Sequence, residues 1–299
     1  MGSEQVGVVG LGNIGGAVAR NLLADGYAVT VYDAVPERVT ALVAEGAQGA
    51  TDVAAVGRAS AFTFVSVPTP AVMEEVATAW LAAAAPAAVL IDLTTNAPAT
   101  VRAVGERIAA AGRHLLEAPL TGGAPGAQAR MLVFMVGGEA AAYARAKPLL
   151  DRLGRASFHL GGLGLGNTAK LVNSLLAFTA TVASLEVLGV AVRAGIDLRA
   201  MIDVVRAGGA GNIFTDRMVE GINERGRPTM FALALAAKDA GLLVELAREQ
   251  AVPVPIAAQV AQTLVAAVGA GLGERDFTDL VELVERQSGV RFSLAPPRT

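Results

Sequence analysis

The chain has 299 residues, 53% of them hydrophobic and 17% charged, so it can bury a large core and is neither a disordered tail nor a disulfide-stapled miniprotein. A net charge of −3, with 24 Lys and Arg scattered without a run, argues against a nucleic-acid-binding surface. There is no Cys and the only histidines are His114 and His159, so Cys/His zinc sites, thiol nucleophiles and disulfides are excluded, no metal site is expected, and redox chemistry needs a borrowed cofactor.

In chain order, short β-branched runs at residues 6–9, 29–32, 61–66, 89–92 and 114–118 are predicted as strands. Helical patterns at 14–24, 36–45, 71–82 and 99–111 alternate with them, several opened by Pro or Thr. This alternation is that of an α/β domain with a doubly wound parallel sheet. Runs at 131–136 and 157–160, flanking a helix at 140–153, extend the sheet. From Asn167 onward the strand-like runs vanish and apolar residues recur at helical spacing through 171–194, 199–205, 235–247, 256–268 and 277–286. The reading is therefore a doubly wound α/β domain over 1–165 and an all-helical domain over 166–299.

Two apolar stretches are not expected to span a membrane. Residues 76–91 are broken by Pro86, and 171–185 carry five polar side chains before Glu186. The opening MGSEQVGVVG has an acidic residue and no basic stretch, so it does not read as a secretory signal, and a cytoplasmic location is the default expectation.

The most informative segment is Gly10-Leu11-Gly12-Asn13-Ile14-Gly15, a G-x-G-x-x-G that follows a strand and opens a helix. Gly10 allows the tight turn, Gly12 lets the backbone approach a pyrophosphate, and Gly15 permits close helix–strand packing. The plain alternative is a tight βα turn. Asp33 stands at the end of the second strand, 18 residues beyond Gly15, where a carboxylate can accept hydrogen bonds from the ribose hydroxyls of NAD and repel the 2′-phosphate of NADP. Arg38 nearby keeps NADP possible. Val67 and Pro68 begin the loop after the third strand, at the carboxyl edge where ligands bind in such sheets.

Three later segments could carry chemistry. Thr121 with the amides of Gly122 and Gly123 offers a hydroxyl and backbone donors suited to a small carboxylate, although a Gly/Pro-rich run is by itself an irregular loop. Lys170, Asn173 and Ser174 fall at i, i+3 and i+4 on one helix face, and a lone Lys in an uncharged helix start is either a general base or a snorkelling edge residue. Lys238 and Asp239 form a pair in an apolar helix, which alone reads as a solvated turn.

Taken together, GLGNIGGAVARNL, APLTGGAPGA, GLGNTAKLVN and the late Lys-Asp resemble the β-hydroxyacid dehydrogenase family, which includes 3-hydroxyisobutyrate dehydrogenase, tartronate semialdehyde reductase and glyoxylate/succinic semialdehyde reductases. The resemblance spans nearly the whole chain, with four motifs in order. It implies an N-terminal Rossmann domain, a C-terminal domain begun by a long helix, and an active site between them. It further implies that Lys170 is the catalytic lysine with Asn173 one turn on, that Thr121, Gly122 and Gly123 bind the substrate carboxylate, and that Thr95 lies by the nicotinamide. Lys238 matches a lysine near the cofactor, and Phe231 and Asp239 match positions that line the pocket. The chain departs from the family pattern at Glu117 for an Asp, Thr121 for a Ser, Arg130 for a Gly, Asn13-Ile14 in the fingerprint and Ser174 for a second Asn.

The expected activity is reversible hydride transfer between NAD(P) and a short 3-hydroxy acid, with Lys170 as general acid/base. An imine reductase on the same fold, which generally lacks the lysine, and a catalytically silent nucleotide-binding module are the alternatives. Apolar residues on more than one face of the later helices lead to the expectation of a homodimer or homotetramer.

Overall fold

A parallel sheet forms where the β-branched runs alternate with helices, and its carboxyl edge collects the loops of interest. The computed structural model describes residues 5–294; residues 1–4, which belong to the segment read against a secretory signal, and 295–299, the end of the second expected domain, lie outside the described residues. The chain divides into two units, Met1–Lys170 and Leu171–Thr299.

In the first unit the elements run β1 (Gln5–Val9), α1 (Gly15–Ala24), β2 (Ala28–Tyr32), α2 (Pro36–Ala44), β3 (Gln48–Gly49), α3 (Val53–Ala59), β4 (Phe62–Val65), α4 (Pro70–Leu81), β5 (Val89–Asp92), α5 (Pro98–Ala110) and β6 (His114–Glu117). They continue through β7 (Leu120–Thr121), α6 (Gly123–Gln128), β8 (Leu132–Gly138), α7 (Ala140–Leu153) and β9 (Gly154–His159) to the start of α8 (Leu165–Arg193). The sheet order is β3-β2-β1-β4-β5-β6-β8-β7, with β9 on β8. Strands β1 to β6 are parallel, and the order reverses at β1, between β2 and β4, the switch point at which α/β sheets bind ligands.

Alternation along the strands splits the core in two. Val6, Val8, Phe62, Phe64, Val89 and Ile91 pack with α1 and α7 on one face, whereas Val9, Val65 and Leu90 pack with α3, α4 and α5 on the other. Pro36, Pro70 and Pro98 open α2, α4 and α5, as the sequence signals indicate.

Several elements differ from the sequence reading, among them the short strands β3 and β7, which it lacks. Helix α3, absent from it, spans only seven residues, too few for a periodic signal, and is started by Asp52, whose Oδ1 accepts the Ala55 N–H at 2.7 Å. Segment 123–128, read as part of an irregular loop, is helical (α6), entered through Gly122 and Gly123 at φ +116° and +59°. The added strand β8 runs antiparallel to β6. Finally, α8 begins at Leu165 rather than 171, because a carboxylate distant in sequence caps glycine-rich residues that have little helix propensity of their own.

In the second unit α8 is followed by α9 (Leu198–Ala207), α10 (Leu233–Glu249), α11 (Pro255–Ala267) and α12 (Leu280–Ser288), the last preceded by a 3₁₀ turn over Phe277–Asp279 where the sequence reading had continuous helix. Their core joins Leu175, Phe178, Val182 and Leu185 of α8 to Leu233 and Ala236 of α10 and Leu264 of α11. By length and composition α8 and segment Pro255–Leu272 could each cross a membrane, but both contribute residues to this core.

Candidate functional site

The glycine fingerprint is held by backbone approach. Gly10 has φ +84°, and a Cβ there would stand 2.1 Å from the carbonyl oxygen of Ser66 in the loop after β4. A Cβ on Gly15 would meet the Gly10 carbonyl oxygen at 1.8 Å. Gly12 is different: among the described residues nothing lies within 4 Å of a Cβ built on it. Its place at the mouth of a helix therefore leaves an open cradle that a pyrophosphate can approach. A polar cavity of about 560 Å³ opens beside it, lined by Leu11, Asn13, Arg20 and Arg38 among others, so the residues present fit a dinucleotide.

Asp33, directly after β2, is tied to this loop. Its Oδ2 accepts the Leu11 N–H at 2.6 Å, its Oδ1 accepts the Val35 N–H at 2.8 Å, and Arg38 Nη1 stands 3.4 Å from both oxygens. The Asp33 side chain is only 6% exposed while Arg38 is 50% exposed. The aspartate is thus both a turn residue and the carboxylate that shapes the fingerprint loop.

Beneath the loops after β5 and β6 runs a buried polar chain. Asp92 ends β5, where its Oδ1 accepts the Thr94 N–H at 2.8 Å and its Oδ2 accepts from Asn96 Nδ2 at 2.6 Å. The Asn96 backbone N–H donates to Asn167 Oδ1 at 2.7 Å, and Asn167 Nδ2 donates to Glu117 Oε2 at 2.5 Å. Glu117, at the end of β6, also accepts backbone N–H groups from Gly164 at 2.5 Å, Gly166 at 3.0 Å and Asn167 at 2.9 Å. All four side chains are essentially inaccessible. Burial pushes the Asp92 carboxyl up to about 7 against its bonds from Thr94 and Asn96. Burial likewise holds Glu117 above its ordinary value, against the bonds from Asn167, Gly166 and Gly164. The Asn96 Oδ1 is buried and has no hydrogen-bond partner among the described residues.

This chain joins the segments that bear the expected site residues. Thr95 is half-buried between Asp92 and Asn96; Val67 donates its N–H to Thr94 Oγ1 at 3.3 Å, and Pro68 beside it is exposed. Thr121 closes β7, four residues beyond Glu117, and leads into Gly122 and Gly123. Lys170 is half-buried one turn after Asn167 on α8, and on the next turn Asn173 is exposed and Ser174 buried. Gly10, Leu11, Gly12, Asn13, Ile14, Asp33, Val67, Pro68 and Thr95 thus occupy the strand-end loops of the first unit and Gly15 opens α1, with Thr121, Gly122 and Gly123 on the segment after β6 and Lys170 on the helix tied to that strand.

Phe231, Lys238 and Asp239 belong to the second unit. Phe231 lies in a ring cluster, its centroid 6.2 Å from that of Phe178 and 6.3 Å from that of Phe277. On α10, Asp239 is buried and its Oδ1 is 3.0 Å from Lys238 Nζ, so the Lys-Asp pair is not a solvated turn.

Asn96 and Asn167 carry no signal of this part in the sequence, and Glu117 stands out there only as a departure from the family pattern. Apart from the Asn96–Asp92 bond across four residues, the bonds that define their part span 47 to 71 residues, so no local spacing announces them.

Residues 5–161 match the family model described as the NAD binding domain of 6-phosphogluconate dehydrogenase, and residues 164–284 that described as NAD-binding of NADP-dependent 3-hydroxyisobutyrate dehydrogenase. The chain is 30% identical over 295 residues to 2-(hydroxymethyl)glutarate dehydrogenase of Eubacterium barkeri, covering 97% of this chain and 98% of that one. It is 38% identical over 210 residues to 3-hydroxyisobutyrate dehydrogenase of Pseudomonas aeruginosa, covering 69% and 70%. Among solved structures, Mycobacterium tuberculosis 3-hydroxyisobutyrate dehydrogenase with L-serine superposes with a TM-score of 0.86 at 27% identity, over 94% of this chain and 99% of that one.

Proposed function

Because the chain belongs to the β-hydroxyacid dehydrogenase family, we propose that it reversibly oxidises a short 3-hydroxy acid to its semialdehyde or oxo acid, with NAD as the preferred cofactor and Lys170 as the general acid/base. The observation that carries this reading is that α8, the helix bearing Lys170, is anchored by its first turn to the end of β6, the strand that leads into Thr121, Gly122 and Gly123.

When bound, the nicotinamide supplies a hydride acceptor. The rest of the work falls to the chain. Thr121 Oγ1 and the amides of Gly122 and Gly123 hold the substrate carboxylate, which fixes the hydroxyl-bearing carbon in orientation. Lys170 Nζ removes the hydroxyl proton during oxidation and returns it during reduction. Asn173, one turn further on α8, orients the hydroxyl and the lysine. Ser-to-Thr replacement at position 121 keeps the hydroxyl and adds a methyl, which narrows the carboxylate site. The names of the relatives above, 2-(hydroxymethyl)glutarate dehydrogenase and 3-hydroxyisobutyrate dehydrogenase, support a 3-hydroxy acid as the substrate class.

Lys170→Ala tests the reading. The expected result is a kcat reduced by about 10² to 10⁴ with unchanged NAD affinity, the scale of a lost general acid/base. Wild-type turnover in that variant, or reduction of a cyclic imine without oxidation of any 3-hydroxy acid, is incompatible with it.

The assembly proposed is a homodimer or homotetramer. Val172, Leu176, Val187 and Val190 of α8 are 46% to 70% exposed and recur at a spacing that keeps them on one face of the helix. A continuous apolar stripe of this kind is the mark of an association surface.

A further inference from the structure

We infer that Glu117 is a positioning residue for the reaction: its carboxylate, together with Asn167, sets the first turn of α8 and so places Lys170. The inference rests on the reading of Lys170 given above.

The start of α8 is poorly suited to helix formation. It follows Gly161, Gly162 and Gly164 and contains Gly166, and glycine costs about 1 kcal/mol relative to alanine within a helix. The first N–H groups of a helix have no partner within it. Here two of them, from Gly166 and Asn167, converge with the N–H of Gly164, just ahead of the helix, on one buried carboxylate, and the Asn167 side-chain amide adds a fourth bond. A carboxylate at a helix N-terminus is favoured by charge as well as by hydrogen bonding. Without it, the apolar periodicity of the sequence supports helix only from Leu171, one residue past Lys170. The lysine therefore lies in the stretch whose helical state depends on Glu117.

The surroundings are cut to fit this carboxylate. A Cβ on Gly137 would stand 2.2 Å from Glu117 Oε1, and one on Gly166 would stand 3.1 Å from its Cδ and 2.5 Å from the Met135 carbonyl oxygen. From Asn167 the contact passes to the Asn96 backbone and from its amide to Asp92, so the helix, the loop after β5 and the end of β6 are held in one register. Displacement of a reacting group by about 1 Å can cost about 10²-fold in rate.

The test compares Glu117→Gln, Glu117→Asp and Gly137→Ala with wild type, by steady-state kinetics and by hydrogen exchange of the amides of residues 165–170. Glu117→Gln keeps the shape but turns an NH₂ toward N–H donors. It is expected to lower kcat at least tenfold, with KM for NAD and hydroxy acid changed less than about threefold, and to speed exchange across the first turn of α8. Glu117→Asp keeps the charge and is expected to recover part of both, which leaves a folded variant to measure. Gly137→Ala, which crowds the carboxylate without removing it, is expected to follow Glu117→Gln. Unchanged exchange in Glu117→Gln overturns the clamp, whatever Lys170 does. Faster exchange with wild-type kcat overturns the positioning role if Lys170→Ala is inactive; if Lys170→Ala is active, it is the acid/base reading that fails.

Discussion

The carboxylate of Asp33 accepts the backbone N–H of Leu11 at 2.6 Å, joining the end of β2 to the fingerprint loop across 22 residues of sequence. Replacing Asp33 by Asn weakens that acceptor and removes the charge that opposes a 2′-phosphate. The NAD/NADP ratio of kcat/KM is expected to fall by at least tenfold, about 1.4 kcal/mol. Arg38, poised 3.4 Å from both carboxylate oxygens, is the cation that a 2′-phosphate would compete for. Arg38→Ala should therefore lower whatever NADP activity the wild type has. A wild type that prefers NADP, or an unchanged ratio in Asp33→Asn, removes Asp33 as the discriminator.

Gly12 and Gly15 separate cofactor approach from folding. A methyl at Gly15 would be 1.8 Å from the Gly10 carbonyl oxygen, whereas a methyl at Gly12 meets nothing. Gly15→Ala is expected to destabilise the first unit by about 1 to 3 kcal/mol through overpacking. Gly12→Ala should leave the thermal midpoint of the free protein nearly unchanged and raise the Kd for NAD at least tenfold. Calorimetric unfolding beside NAD titration of each variant checks both, and normal NAD binding by Gly12→Ala would move the pyrophosphate elsewhere.

Asp92 makes stability depend on pH with a definite sign. Its carboxyl is raised from 3.8 to about 7 by burial, so between those values the folded state holds a proton that the unfolded state has released. The contribution of Asp92 to stability is therefore full below about pH 4, falls as pH rises toward 7, and is flat above; each unit of separation corresponds to about 1.4 kcal/mol. Glu117, also raised, contributes with the same sign. Urea unfolding at pH 5, 6, 7 and 8 should show this decline in wild type and a shallower one in Asp92→Asn. Parallel curves would assign the slope to other groups.

The apolar face of α8 predicts mass. One chain is 30.3 kDa, and light scattering at micromolar concentration should return at least twice that value. Replacing the exposed Leu176 and Val190 by Lys should shift the protein toward the single-chain mass without unfolding it. A single-chain mass for the wild type would leave the stripe without a copy to cover it.

Residues adjacent in sequence were enough for much of this protein. The strand–GLGNIG–helix unit, Asp33 at a strand end, Pro-opened helices and the Lys170-Asn173 spacing are all set by local chemistry and periodicity, so the two-part architecture and the cofactor class could be read directly. What lay beyond reach depended on contacts between distant segments. The true start of α8 is decided by Glu117, nearly 50 residues upstream, because glycine-rich backbone becomes helical only when its unpaired N–H groups find an acceptor. Likewise α3 lacks the length to show a period, and α6 appears where a glycine-rich loop was expected. The parts of Asn96 and Asn167 exist only in the folded chain, since burial turns an ordinary amide into an obligatory link between carboxylates.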